Sequence, residues 1–285
     1  MTAPVVVRCR GCGVLNSGDR TACVSCGTGL PAAPAGVAAV GGAAALAQGH
    51  QPAGPAPAPA TPPSFEERRA AELKTARAGG VARVFLASLG LAVVLFVARK
   101  AGAPEVLVEV GGTAVLALLA LLCTVAARAE IGPLLARTGG WRGPVTAAVG
   151  LGLVVILGAI YFPIFRWLGF PTVSASGPFL AAGWSRWSIY LLLSVAPGLF
   201  EELTFRGYLM ARLDTLLTPW ETLLVQAALF ALLHLGVVIF PSHFLIGLVL
   251  GIVRRRTGSL YPGMGVHMGW NAICVWSELA GRQFP

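Results

Sequence analysis

Charge is what this chain has least of. Only 12% of its 285 residues are Asp, Glu, Lys or Arg, about half the ~25% usual in globular proteins. Lysine occurs only as Lys74 and Lys100. So little charge cannot clothe a soluble globule, and 56% of the residues are hydrophobic, with a mean hydropathy of +0.76. The chain therefore reads as an all-α polytopic membrane protein. The net charge of +9 does not make it a nucleic-acid binder, because the basic residues fall between apolar runs, as topology and headgroup signals do. No nucleic-acid partner is expected; the lipid bilayer is. Arginine far outnumbers lysine, and Ala, Gly and Val dominate, which points to a GC-rich bacterial genome and so to a bacterial inner (cell) membrane. No apolar run precedes the first cysteines, so no cleavable signal peptide is expected. No internal or inverted repeat emerges, which argues against a transporter. Nor do the six cysteines make a secreted disulfide set: four cluster near the N-terminus, and Cys123 and Cys274 sit singly in apolar runs as small buried hydrophobes.

What is present is modular. Residues 1–30 carry Cys9-Arg-Gly-Cys12 and Cys23-Val-Ser-Cys26. Each CxxC turn can aim two thiolates at one ion, and two such turns make a closed tetrahedral site. Cys9, Cys12, Cys23 and Cys26 are therefore expected to hold a structural zinc in a small zinc ribbon, a fragment too small to fold without its metal. Residues 31–63 are almost wholly Ala, Pro and Gly and read as a disordered linker. Ser64 to about residue 80 reads as a capped, amphipathic juxtamembrane helix. The membrane domain, 81–285, holds seven apolar segments, at about 81–98, 105–127, 144–165, 186–212, 219–240, 242–254 and 259–281, which predict about seven transmembrane helices. The sixth is shorter than the ~20 residues of a straight span. Arginines gather on the N-terminal flank (Arg68, Arg69, Arg77, Arg83), in the second connection (Arg128, Arg137, Arg142), at Arg212, and at Arg254–Arg256, which predicts a cytoplasmic N-terminus. Arg99 and Lys100 dissent. A cytoplasmic ribbon would also keep its thiols reduced.

Against this apolar background two adjacent glutamates stand out, in Leu199-Phe200-Glu201-Glu202-Leu203-Thr204-Phe205-Arg206. A carboxylate at membrane depth costs about 2.5–3.5 kcal/mol on insertion scales and is kept there only if paired or used. On a helix Glu202 and Arg206 are i and i+4 and share a face. Glu201 points about 100° away, without that cation, and is suited to general-base work. Two later segments add Phe230-Ala-Leu-Leu-His234 and His267-Met-Gly-Trp-Asn271. His267 and Asn271 lie one turn apart and can donate to one developing oxyanion. Each piece alone has a bland reading: a structural ion pair, a packing histidine, an interhelical amide. Three successive apolar segments carrying all of them point to chemistry. His243, after Pro241-Ser242, has no partner in this pattern and reads as structural.

These three patterns resemble the EExxxR, FxxxH and HxxxN motifs of the CPBP family of membrane endopeptidases, the CAAX-processing and bacteriocin-processing (Abi) proteases. Gly247-Leu-Val-Leu-Gly251 and Arg256-Thr-Gly-Ser-Leu-Tyr-Pro262 are similar to the family's lead-in to its last motif. The resemblance covers about residues 145–281. It implies a helical membrane fold around a cavity, with Glu201 and His234 activating water, His267 and Asn271 holding the oxyanion, and Glu202 and Arg206 bracing the site. Glu201, His234 and His267 could instead ligate a catalytic zinc with an open fourth position. The absence of an HExxH chelate tilts the reading toward a metal-free mechanism.

The function expected is an intramembrane endopeptidase, a hydrolase acting on a membrane-associated protein or peptide, with the ribbon available to a protein partner. The alternative is a non-catalytic adaptor that uses the same fold to bind a partner protein.

Overall fold

The computed structural model describes residues 6–9, 15–17, 21–23, 29–30, 64–170 and 174–281. The chain divides into two compact units, Met1–Thr75 and Ala76–Pro285. In the first, β1 (Val6–Arg8) and β2 (Leu15–Ser17) pair antiparallel with Val7 opposite Asn16. An isolated antiparallel bridge joins Ala22 to Gly29, and the Leu30 N–H donates to the Thr21 carbonyl at 2.9 Å. Cys9 follows β1, and Cys23 follows Ala22 of the isolated bridge. Cys9 and Cys23 are buried. Cys12, Cys26 and the stretch 31–63 lie outside the described residues.

The rest is helical: α1 (Phe65–Lys100), α2 (Glu105–Ala126), α3 (Arg128–Ala136), α4 (Arg142–Trp167), α5 (Gly177–Ala181), α6 (Arg186–Leu213), α7 (Pro219–Leu232), α8 (Phe240–Thr257) and α9 (Tyr261–Leu279). The juxtamembrane helix and the first apolar segment are one rod. Ser64 caps it, receiving the Glu67 N–H at 3.2 Å while Glu67 Oε2 receives the Ser64 N–H at 2.7 Å, a reciprocal capping box. No proline interrupts the chain from there to Lys100.

Each of the seven apolar segments is largely helical, but among the described residues only four helices (α1, α2, α4 and α6) are long and apolar enough to cross a membrane. The remaining three expected spans, at α7, α8 and α9, fall outside that set. The 14-residue α7 reaches only about 21 Å at 1.5 Å per residue, against a hydrocarbon core of about 30 Å. Helix α8 ends on Arg254, Arg255 and Arg256, and α9 carries His267, Asn271 and Glu278. The apolar window of α1 is 6% buried inside the protein and that of α6 is 33% buried. Helix α1 therefore presents its side chains outward, as a lipid-facing helix does, while α6 is the most enclosed of the four.

Helix α6 is irregular where it matters. Leu191–Val195 and Glu202–Leu209 are π-helical, with the Ala196 N–H reaching back to the Leu191 carbonyl and the Met210 N–H to Phe205. Such widened turns are rare and concentrate at functional sites. The main core, which includes Phe205, Tyr208, Leu209, Phe230, Leu250, Val253, Met264 and Trp270, draws on α6, α7, α8 and α9. Helix α9 lies against α6 at close range: a Cβ on Gly198 would sit 2.4 Å from Met268 Cγ, and Ser194 Oγ donates to the Met268 carbonyl at 2.7 Å. The lack of a side chain at Gly198 lets His267 approach the glutamate pair. Gly247 of α8 also lies close to Ala227 of α7, where a Cβ would be 3.0 Å from the Ala227 Cα. At the far end of α9, Glu278 Oε2 accepts from the Ser176 N–H, the Ser176 hydroxyl and the Ser174 hydroxyl, closing the connection before α6.

Candidate active site

Glu202 and Arg206 share a face of α6, as their spacing predicts. Arg206 Nη1 donates to Glu202 Oε1 at 2.8 Å, and both side chains are almost wholly buried, at 0% and 1% exposure. The guanidinium is held on two further sides. Its Nη2 donates to the Gly247 carbonyl at 3.3 Å, and its carbon lies 4.4 Å from the centre of the Phe230 ring, a cation–π contact. Gln226 Nε2 donates to the same Gly247 carbonyl at 2.8 Å. One polar knot thus ties α6, α7 and α8. Gly263 of α9 faces Glu202 Oε2, where a Cβ would approach to 3.2 Å.

His267 joins this knot. Its Nδ1 lies 3.0 Å from Glu202 Oε1, the oxygen that also receives Arg206, and its Nε2 lies 3.9 Å from Glu201 Oε2. A carboxylate already paired with a guanidinium accepts from Nδ1, so Nδ1 carries a proton and the ring turns Nε2 toward Glu201. The sequence paired His267 with Asn271 alone. The structure gives it a carboxylate on one nitrogen and a second carboxylate facing the other. Asn271 follows one turn later on α9, half-buried, with no side-chain hydrogen bond among the described residues. Glu201, whose side chain is 19% exposed, has no guanidinium or hydrogen-bond partner among the described residues.

His234 sits apart from that corner, across Phe230. Its Nδ1–H donates to the Phe230 carbonyl at 3.0 Å, leaving Nε2 free of backbone contact. Its ring lies 3.9 Å, centre to centre, from that of His243. His243, for which the sequence offered no partner, has one in the fold: the start of α8 lies beside the end of α7, which sequence spacing does not reveal. Phe230 is the hub, with the rings of His234, His267 and His243 at 5.0, 5.9 and 6.2 Å and Arg206 on its face. Sequence reasoning missed Gln226, the role of Phe230 as a hub, the stacking of His243 and the carbonyl of Gly247 as an acceptor. The one available signal was a further histidine in an apolar stretch. Among the described residues no three His, Cys, Asp or Glu side chains converge as a metal site.

Fold and site together define a helical membrane protein with an ionic cluster and an imidazole pair buried between α6, α7, α8 and α9. Residues 182–273 match the model of the family described as Type II CAAX prenyl endopeptidase Rce1-like. The match is narrower than the span of the motif resemblance, yet it contains Glu201, Glu202, Arg206, His234, His267 and Asn271. It leaves out the cysteine module and α1 to α4. No curated protein and no solved structure matches the chain.

Proposed function

We propose that the chain is an intramembrane endopeptidase that hydrolyses a peptide bond in a membrane-associated protein or peptide, with Glu201 as general base. The observation that supports this is the unequal treatment of two adjacent glutamates. Glu202 is enclosed by Arg206 and His267, whereas Glu201 keeps its carboxylate partly accessible, 3.9 Å from His267 Nε2. A gap of that width suits a bridging water. Glu201 takes one proton from that water as its oxygen bonds to the scissile carbonyl carbon and the C=O π pair moves onto oxygen. The Asn271 amide donates to this oxyanion. His267, its Nδ1 held by Glu202 Oε1, is the second group that the motif resemblance assigns to this oxyanion. His234, with Nδ1 engaged, offers Nε2 to orient the water. Collapse re-forms the C=O, breaks the C–N bond, and returns the proton from Glu201 to the leaving nitrogen. Arg206, Phe230 and Gln226 hold the frame.

The test is digestion of a peptide library by full-length protein in detergent, beside a Glu201→Gln variant. Cleavage by the wild type and a loss of about 10²–10⁴ in rate for the variant is the expected result. Equal inactivity of two well-folded proteins would favour the adaptor reading.

For the N-terminal module we propose one structural zinc held by Cys9, Cys12, Cys23 and Cys26. The placement of Cys9 and Cys23 at the ends of paired segments, both buried, supports it. The metal would supply folding energy to a fragment with little core. The reading places the N-terminus in the cytoplasm of a bacterial cell, with the ribbon open to a protein partner.

A further inference from the structure

The imidazole corner contains a residue that the catalytic scheme above does not use. His234 and His243 close the two ends of the short connection between α7 and α8, and each is tied down by the same local device. The Nδ1–H of His234 donates to the carbonyl four residues earlier, Phe230, at 3.0 Å, and that of His243 to Ile239, also four residues earlier, at 2.9 Å. Ser242 Oγ donates to the same Ile239 carbonyl at 2.8 Å. Both rings therefore keep their Nε2 atoms off the backbone. The connection is fixed as well. Leu235 has φ of 48°, a left-handed conformation uncommon outside glycine, and the Tyr161 hydroxyl of α4 donates to the Val238 carbonyl. The two rings pack at 3.9 Å with 40° between their planes, and Phe230 lies beside both.

A histidine at a helix end has two soft torsions, and its Nδ1 bond alone leaves the ring free to turn over and present the other nitrogen. Phe230 covers one side of His234. His243 covers another at van der Waals range. We propose that His243 is the positioning residue of His234: its ring holds the His234 imidazole in the orientation and tautomer that keep the proton on Nδ1 and the lone pair of Nε2 facing the reaction. His243 acts through His234 and touches no reacting atom. The inference rests on the endopeptidase reading for its effect on rate, but its structural content stands by itself.

The experiment uses full-length protein in detergent with ¹⁵N-labelled histidine, comparing wild type, His243→Leu and His243→Phe. The ¹⁵N shifts of His234, assigned through a His234→Asn control, report the tautomer. The wild type is expected to show the Nδ1–H form alone, His243→Leu a mixture, and His243→Phe, which keeps a flat ring, the wild-type pattern. Against one identified peptide, His243→Leu is expected to lower kcat about ten- to a hundredfold, the scale of misplacing a catalytic group, with KM and melting temperature unchanged. His243→Phe is expected to restore most of that loss. A single Nδ1–H tautomer in His243→Leu, or wild-type kcat in a folded His243→Leu protein, would overturn the proposal. If His243→Leu does not fold, His243→Met carries the same comparison. If wild type and Glu201→Gln are equally inactive, the endopeptidase reading fails, and the tautomer measurement alone still decides for or against His243.

Discussion

Across the Phe230 ring the site has two unlike corners. On one side Arg206, Glu202 and His267 form a knot with bonds of 2.8 and 3.0 Å, sealed from solvent and tied through Gly247 to two more helices. On the other side, among the described residues, His234 and His243 hydrogen-bond only to their own helical turns and Ser242, and they stack on one another. Glu201 belongs by sequence to the first corner but behaves like the second: partly accessible, with one long contact. Sealed, charge-paired groups hold a site together even though Glu202 Oε2 and Arg206 Nε find no hydrogen-bond partner among the described residues, whereas partly accessible groups with an unused lone pair can exchange protons.

That division can be broken by mutation, and the sealed corner gives the largest effect. Arg206→Ala leaves the Glu202 carboxylate buried beside His267 without its cation. It is expected to destabilise the protein by about 3–5 kcal/mol, the scale for breaking a buried pair from one side. Thermal melting in detergent checks this, and an unchanged melting temperature would contradict the pairing. His267→Ala removes a donor to the oxyanion and is expected to lower kcat by about 10²–10³, with a smaller change in KM, measured on one identified peptide. Gly198→Ala presses a methyl into Met268 and displaces α9 from the glutamates. A loss of about 1–3 kcal/mol is expected, as for other overpacked sites, with activity falling along with stability; wild-type melting and rate would contradict the close approach. The smallest effect on the helical unit is expected from the double substitution of Cys9 and Cys23 by serine. Metal analysis should drop from about one zinc per chain to none, while the melting of the helical unit stays put.

Much of this was legible in the chain, and for a definite reason. The Glu202–Arg206 contact is local, four residues apart on one helix, so spacing alone finds it. Helix positions follow from long apolar runs bounded by Gly, Pro and Arg. Three things were not legible. His267 meets Glu202 across 65 residues, and the stack of His234 on His243 depends on how a short connection folds back; neither leaves a periodic trace. The π-helical turns over Glu202–Leu209 shift every side-chain direction read from a regular α-helix. The span count remains an expectation: four helices among the described residues have the length and apolarity to cross, while α7 is 14 residues long and α8 and α9 carry charge and site residues along part of their length.

The central claim is that adjacent glutamates do different work, Glu202 holding the frame and Glu201 moving the proton. The most direct measurement is a parallel comparison of Glu201→Gln and Glu202→Gln for melting temperature and for single-turnover cleavage of one peptide. Glu201→Gln is expected to melt like the wild type but to cleave about 10²–10⁴ times more slowly. Glu202→Gln is expected to melt at a clearly lower temperature, because Arg206 loses its counter-charge. A stable Glu202→Gln protein, or a Glu201→Gln protein that cleaves within tenfold of the wild type, would contradict the central claim.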